Sequence, residues 1–106
     1  MVNRFDVYLI NLDAEPSEDA KNTRPAVIIS PDEMNRNLEH VIIAPLSSTE
    51  ARYPTRVVAE FLGAERFIIL DHIRSVDKAR LVKKIGEIGE AAGREVLGRL
   101  NEMFAD

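Results

Sequence analysis

The sequence predicts a mainly β fold with one C-terminal α-helix, arranged as a small, partly closed barrel. Five or six short segments rich in β-branched and aromatic residues are separated by polar turns, a pattern typical of strands with short connections. From about Glu90 to the end, apolar residues instead recur at intervals of three and four, which is typical of an amphipathic helix. The 106 residues contain no repeat or linker, so we expect one domain over residues 1–106.

The first half of the chain contains three predicted strands and one short helix. Strands are expected at Phe5–Leu12, Pro25–Ser30 and His40–Leu46, and the polar stretch 13–23 between the first two is expected to be a long loop. The segment Ser30-Pro31-Asp32-Glu33 is typical of a helix start, with Ser30 as the N-cap and proline at the first helical position. The helix should be short, because asparagines follow closely.

The second half contains the remaining strands and the terminal helix. After a polar loop over 47–54, strands are expected at Thr55–Glu60, Arg66–Leu70 and Leu81–Ile88. Gly93 and Gly98 interrupt the terminal helix, each at a cost of about 1 kcal/mol relative to alanine. Packing of the apolar side would offset that cost. Its residues are Ala92, Val96, Leu97, Leu100, Met103 and Phe104.

Composition excludes several kinds of protein. The absence of cysteine excludes a disulfide scaffold, a thiol nucleophile and a cysteine-zinc site, and it fits a reducing compartment. The N-terminus lacks the apolar stretch of a signal peptide, and no run is long enough to span a bilayer. We therefore expect a cytoplasmic protein that does not associate with membranes.

Charge is distributed unevenly along the chain. Taken alone, the net charge of −4 argues against nucleic-acid binding. Residues 1–50 carry four Lys/Arg against nine acids, whereas residues 51–106 carry ten against nine. A basic run in the second half could contact phosphates, although a solvated strand-and-turn surface explains it equally well. The run comprises Arg74, Lys78, Arg80, Lys83 and Lys84, opposed by Asp77.

Few residue patterns in this chain suggest catalysis. His40 and His72 stand far apart and in no recognised ligand spacing, so neither a metal nor another cofactor is expected. The sequence contains no glycine-rich phosphate loop and no Gly-x-Ser-x-Gly elbow. Two strand–loop junctions remain: Arg24, held beside the stiff Pro25, and the hydroxyl run 47–49. An ion pair at the sheet end and ordinary turn chemistry are the alternative interpretations of these two junctions.

Several segments in the correct order resemble the MazF/PemK family of toxin endoribonucleases. They cover nearly the whole chain, and the most specific are the Arg-Pro strand start and the Asp-x-Ile-Arg-Ser-Val-Asp-Lys stretch. The segments are Phe5-Asp6-Val7-Tyr8, Thr23-Arg24-Pro25-Ala26-Val27-Ile28-Ile29-Ser30, Asn35-Arg36, Ile43-Ala44-Pro45-Leu46-Ser47-Ser48 and Leu70-Asp71-His72-Ile73-Arg74-Ser75-Val76-Asp77-Lys78.

The resemblance implies an SH3-like β-barrel of the MazF/Kid/CcdB type that forms a homodimer and cuts single-stranded mRNA. Arg24 matches the family's catalytic arginine. Ser47 takes the place of its usual catalytic threonine, with Ser48 as the nearby alternative, and Asp71 is a further catalytic candidate. The expected RNA contacts are Ser17, Glu18, Lys21, Thr49, His72 and Arg74.

The resemblance also implies a protein partner, a cognate antitoxin with an acidic, disordered C-terminal tail. The sequence departs from the family in its loop before Arg24, which is one residue longer and lacks glycine, and at His72, where many relatives have glutamine. Two alternatives remain open. One is a protein-directed poison like the CcdB toxins, and the other is a non-catalytic SH3-like interaction module.

Overall fold

The computed structural model describes residues 1–12, 22–49 and 53–106. Two short 3-10 turns, at Leu70–His72 and Lys78–Arg80, flank the sixth strand. Within the described residues the chain forms seven strands and two α-helices: β1 (Asp6–Asn11), β2 (Thr23–Ile28), α1 (Asp32–Asn37), β3 (His40–Ser47), β4 (Arg56–Phe61), β5 (Ala64–Ile69), β6 (Arg74–Asp77), β7 (Leu81–Glu87) and α2 (Glu90–Phe104).

The strands form one antiparallel, curled sheet in the order β4-β5-β3-β2-β1-β7, with β6 also paired to β3. The long strand β3 organises it. Strand β2 runs along one edge of β3, with Ala26 opposite Pro45. The other edge is shared, because β6 pairs with the first half of β3 and β5 pairs with its end. The end of β3 therefore lies between β2 and β5.

Alternation along the strands gives the sheet two apolar faces. Val7 pairs with Val27 on the inner face, and Tyr8 pairs with Ala26 on the outer face. Helix α2 covers the inner face and contributes the fully buried Val96. The inner core is Val7, Val27, Ile29, Ala44, Leu46, Val57, Ala59, Phe61, Ile68, Leu70, Ile88 and Val96. The smaller outer cluster is Ile10, Ala26, Ile28, Val41, Ile43 and Val76.

The two ends of the sheet meet through a side chain. Gly86 of β7 lies so close to the Phe61 ring of β4 that a Cβ atom at Gly86 would be 2.8 Å from the ring. Helix α2 also packs against β4. The sheet is thus a half-barrel closed by side chains and a helix, and the prediction of a mainly β, partly closed barrel with a C-terminal helix is confirmed.

The prediction that Ser30 caps α1 is wrong. The helix begins at Asp32, the N-cap position is Pro31, and no side chain caps it. The Ser30 hydroxyl instead donates to Asn35 Oδ1 at 2.5 Å and accepts from the Ile42 amide at 3.0 Å. Because both Ser30 and Asn35 are buried, this bond ties the helix to β3 and leaves the hydroxyl facing away from the first turn.

Three other details differ from the sequence prediction. Thr23, assigned to the loop, is the first residue of β2, and most of that loop lies outside the described residues. Phe104, assigned to the packed side of the helix, is 72% exposed. Strand β6 was not predicted as a separate element, because Val76 is its one buried side chain.

The two glycines of α2 are predicted to respond oppositely to the same substitution. A Cβ at Gly93 would lie 2.5 Å from the Phe5 ring, whereas nothing lies within 4 Å of one at Gly98. Phe5 cannot move easily, since its amide donates to Ile28 O at 2.6 Å and its carbonyl accepts from Ile88 N at 3.1 Å. Overpacking of about 1–3 kcal/mol at Gly93 should exceed the gain in helix propensity of about 1 kcal/mol.

We therefore expect Gly93→Ala to lower the free energy of unfolding by about 1 kcal/mol net. Gly98→Ala should raise it by about 0.5–1 kcal/mol, because propensity acts there alone. Urea denaturation followed by circular dichroism measures both. Equal shifts in the same direction would show that the Phe5 ring does not constrain this helix.

Candidate functional site

The strand register places Arg24 beside Ser47. Ala26 of β2 lies opposite Pro45 of β3. The pairing ends there, and Arg24 and Ser47 each stand two residues beyond it, on the same face as Ala26 and Pro45 because side chains alternate along a strand. Side chains directly opposite each other in an antiparallel pair project from the same face. The arginine and the hydroxyl proposed from the sequence therefore share one rim of the sheet.

Both residues line a groove of about 690 Å³ at the ends of β2 and β3. Its floor is apolar and formed by the outer face of the sheet, while its rim carries hydroxyls, an imidazole and guanidinium groups. The described residues that line it are Ile10, Leu12, Arg24, Pro25, Ala26, Ile43, Pro45, Leu46, Ser47, Ser48, Arg66, His72 and Arg74.

The described part of the groove is strongly cationic. It contains Arg24, Arg66 and Arg74, and none of its described lining residues is acidic. Within the described ranges these three arginines form no ion pair with a carboxylate. The Arg24 guanidinium donates to the Thr23 carbonyl at 3.0 Å, which holds the side chain without neutralising it.

Two arginines of α2 are instead paired with carboxylates. Arg94 pairs with Glu90 at 2.9 Å, and Arg99 lies 3.5 Å from Glu95. The guanidinium groups of Arg24, Arg66 and Arg74, which pair with no described carboxylate, therefore attract anions and polyanions to the groove.

The Ser47 hydroxyl is oriented by its own loop. Its oxygen accepts a hydrogen bond from the Thr49 amide at 3.1 Å. A serine hydroxyl has one proton and two lone pairs, so the proton remains available to a ligand in the groove. This bond restricts the rotamer, as the extra methyl of a threonine would.

A second, shallower depression of about 350 Å³ adjoins the groove and shares Pro45, Ser47 and His72 with it. Thr49 and Arg56 line the depression. The His72 imidazole stands at the boundary between the two and its side chain is 67% exposed. Both surfaces are therefore open to a ligand that extends past Ser47.

The Asp71 carboxylate is occupied by a partner on β4. It accepts from Arg56 Nε at 3.2 Å and Nη2 at 3.3 Å, and from the Thr55 hydroxyl at 3.0 Å. The hydrogen bond from Arg56 is the main cause that lowers the pKa of Asp71 to about 2. A carboxylate this weakly basic is a poor proton acceptor, so the geometry supports a structural role for Asp71, in holding the turn that carries His72.

Acid should weaken the Asp71–Arg56 contact. The pKa of Asp71 in the native protein is below its value of about 3.9 in the unfolded chain. The contact therefore contributes its full stabilisation above about pH 4, and this contribution is lost as pH falls through about 2. The side chain is about one-third exposed, so the effect should stay below about 1 kcal/mol. We expect Asp71→Asn to reduce stability at pH 6, and we expect the difference from the wild type to shrink progressively below about pH 4 as Asp71 becomes protonated. A difference that is constant across this range in denaturation curves would contradict the pairing.

The structure brings together most of the residues proposed from the sequence. Arg24, Ser47, Ser48, His72 and Arg74 line the groove, and Thr49 lines the adjoining depression. Asp71 is directed to Arg56. Ser17, Glu18 and Lys21 lie outside the described residues.

The basic run of the second half does not form one surface on the groove. Arg74 lines the groove, whereas Lys84 lies 3.1 Å from the buried carboxylate of Asp6, which raises the pKa of Lys84. Arg80 donates to the Asn11 carbonyl at 3.2 Å. Arg66, on β5, was not proposed from the sequence, because its place in the groove depends on the pairing of β5 with β3.

A small half-barrel with a cationic, open groove at its strand ends defines a protein class suited to binding a polyanionic ligand. Among the described residues no cluster of three or more His, Asp or Glu side chains could hold a metal ion. None of the helices in the described ranges is long and apolar enough to cross a membrane.

Comparison with known proteins identifies the family. The family model described as PemK-like, MazF-like toxin of type II toxin-antitoxin system matches residues 3–104. The chain therefore belongs to the PemK-like and MazF-like toxins of type II toxin–antitoxin systems, as the sequence resemblance implied.

Solved structures agree on the fold. An endoribonuclease in complex with its cognate antitoxin, from Mycobacterial species, is 22% identical with a TM-score of 0.81, covering 96% of this chain and 93% of that one. A MazE–MazF structure from Deinococcus radiodurans (Form-II) is 24% identical with a TM-score of 0.80, covering 98% and 95%. Another from that organism (Form-III) is 26% identical with a TM-score of 0.73, covering 96% and 94%.

Proposed function

We propose that this toxin is a metal-independent, sequence-specific endoribonuclease that cleaves single-stranded mRNA. Its main support is the juxtaposition of Arg24 and Ser47 on one rim of a cationic groove whose described residues include no acid. The name endoribonuclease carried by a structural neighbour agrees with this activity. An open groove with an apolar floor suits single-stranded RNA, whose unstacked bases can be read at their edges.

The proposed reaction uses the substrate's own 2′-hydroxyl as the nucleophile. Its oxygen forms a bond to the adjacent phosphorus while the bond from phosphorus to the 5′-oxygen breaks. The 2′-hydroxyl gives up its proton, and the departing 5′-oxygen gains one. The products are a 2′,3′-cyclic phosphate and a 5′-hydroxyl, so no water is consumed in this step.

Arg24 is proposed to stabilise the charge that develops on the phosphorane. Its planar guanidinium matches two phosphate oxygens and stays charged at any physiological pH. For that same reason it is not the base. Preorganised donors aimed at developing charge are commonly the largest single contribution to such catalysis, and Arg24 is already held by the Thr23 carbonyl.

Ser47 is proposed to donate its free proton to a non-bridging oxygen of the scissile phosphate, since its lone pair already accepts from Thr49 N. Ser48 lies beside it and lines the same groove. His72 is the proposed proton-transfer group, because its exposed imidazole stands at the groove boundary and an imidazole can both accept and donate a proton. Arg74 and Thr49 would contact flanking nucleotides.

Inhibition by an antitoxin follows from the same surface. Structural neighbours were solved with their antitoxins. We propose that an acidic segment of this toxin's own antitoxin occupies the groove and competes with RNA for Arg24 and its cationic neighbours. We also propose that the toxin acts in the cytoplasm and that it forms a homodimer. Analytical ultracentrifugation of the purified protein would test the homodimer.

The proposed function is tested with paired oligonucleotides in EDTA. A long single-stranded RNA is first incubated with the protein, and primer extension locates the cuts. A short RNA with that site is then compared with a copy that has one 2′-deoxy sugar at the cut. We expect discrete cleavage of the first, with a 2′,3′-cyclic phosphate end, and none of the second. Cleavage of both copies, or of neither, would overturn the mechanism or the activity, respectively.

A further inference from the structure

Arg66 enters the groove from a strand that does not carry the Arg24–Ser47 pair. On β5, Phe67 lies opposite Ser47 and Ile68 lies opposite Leu46. Arg66 is the next residue along β5, and it lines the groove together with Ser48, which directly follows β3. Arg66 is half-buried and lines the groove, and no described carboxylate neutralises it.

The arginines of the groove stand on opposite edges of β3. Arg24 lies on the β2 edge, whereas Arg66 and Arg74 lie on the edge shared by β5 and β6. Neighbouring strands are about 4.8 Å apart, so β2 and β5 are separated by roughly 10 Å across β3. Arg74 lies opposite Ile43. Five residues separate Ile43 from Ser48, which is roughly 16 Å of extended strand.

These separations exceed the spacing of one nucleotide. Stacked nucleotides follow one another at about 3.4 Å along a strand, so an RNA strand that crosses the groove between these three backbone positions presents more than one phosphate to it. We infer that Arg66 is a second phosphate-binding residue, which holds a phosphate that flanks the scissile one on the Ser48 side of the groove. This inference rests on the proposed function, because it requires that the polyanion in the groove be RNA.

The chemistry of Arg66 fits binding and positioning more than catalysis. Arg24 reaches the groove from β2, whereas Arg66 reaches it from β5, next to the Phe67 that pairs with Ser47. A guanidinium there can release counterions from the backbone and fix the register of the strand. A phosphate contact does not distinguish one base from another, so the loss of Arg66 should weaken the binding of different RNA sequences to a similar extent.

The test measures binding as a function of salt. The probe is the short RNA with the 2′-deoxy sugar at the cut site, which the proposed mechanism cannot cleave. Its dissociation constant is measured from about 50 to about 200 mM salt for the wild type and Arg66→Ala. For single-stranded nucleic acid each lost phosphate contact should make the plot of log K against log salt shallower by about 0.7. The affinity deficit of Arg66→Ala should therefore shrink about 2.6-fold over this range.

Two variants serve as controls. Arg66→Lys keeps the positive charge and should retain the wild-type slope. This variant distinguishes the effect of the charge from the effect of the guanidinium's shape. Arg94→Ala removes an arginine of equal charge on α2, where it pairs with Glu90 and is 71% exposed. It should also retain the wild-type slope.

The outcomes distinguish this inference from the proposed function. If the wild type cleaves the all-RNA copy but Arg66→Ala has an unchanged slope, Arg66 does not bind phosphate and the inference fails alone. A shallower slope for Arg66→Lys as well would also overturn it, because the charge is still present. If the wild type neither cleaves the RNA copy nor binds the probe, the proposed function fails, and the inference with it.

Discussion

Replacing Arg24 by alanine is expected to slow RNA cleavage by about a hundred- to a thousandfold at saturating enzyme. The substitution removes the guanidinium that lines the groove together with Ser47 and is proposed to stabilise the phosphorane. The fold should survive, because the Arg24 side chain is exposed and its one described hydrogen bond is to the neighbouring Thr23 carbonyl. Single-turnover cleavage of the short RNA measures the effect.

Matched variants make this prediction specific. Arg36→Ala removes an exposed arginine of α1 and should cleave at the wild-type rate. Arg24→Lys keeps a point charge without the planar fork, so its rate should lie between those of the wild type and Arg24→Ala. If Arg24→Ala remains folded and fully toxic, a protein-directed poison of the CcdB kind or a non-catalytic module becomes the better explanation.

Replacing Asn35 by aspartate is expected to cost about 3–5 kcal/mol of stability at neutral pH, since it leaves a buried, unpaired charge. Asn35 Nδ2 donates to the Ser30 carbonyl at 3.0 Å, and both residues are buried. An ionised aspartate cannot donate, so its oxygen would face that carbonyl in a dry environment. This is a large fraction of the 5–15 kcal/mol that stabilises a typical domain.

The loss at Asn35 should depend on pH. A protonated carboxyl can donate to the Ser30 carbonyl, and burial raises its native pKa above the unfolded value of about 3.9. The stability lost by Asn35→Asp should therefore grow as pH rises above about 3.9 and shrink as pH falls below it. Asn37→Asp is the control on the same helix, because the exposed Asn37 bonds Glu33 O and water can replace it. Equal losses for the two variants in urea denaturation would contradict the buried network.

Much of the fold could be predicted because its elements follow local patterns. The runs of β-branched residues in β1, β2 and β3 and the three- and four-residue spacing in α2 set element type directly. The N-cap assignment failed at Ser30 because a buried partner, Asn35, takes its hydroxyl. Such a competition depends on burial, which local sequence does not contain.

The candidate site was predictable where it lies next to a motif. Arg24 and Ser47 stand in recognisable segments, and the β2–β3 register places them together. Arg66 gave no signal, because a charged residue near a turn is typical of solvated surface. Asp71 was proposed as a catalytic candidate, and its pairing with Arg56, 15 residues earlier in the chain, could not be inferred locally.

The position of β3, with β2 on one edge and β5 and β6 on the other, has a consequence for how relatives diverge. Arg24 reaches the groove from β2 on one edge of the strand, and Arg66 and Arg74 reach it from β5 and β6 on the other. Substitutions on β5 or β6 can therefore alter how a substrate strand is held without moving the pair proposed to cut it. A lineage could acquire new target preferences by drift on one side of a single strand, while selection preserves the other side unchanged.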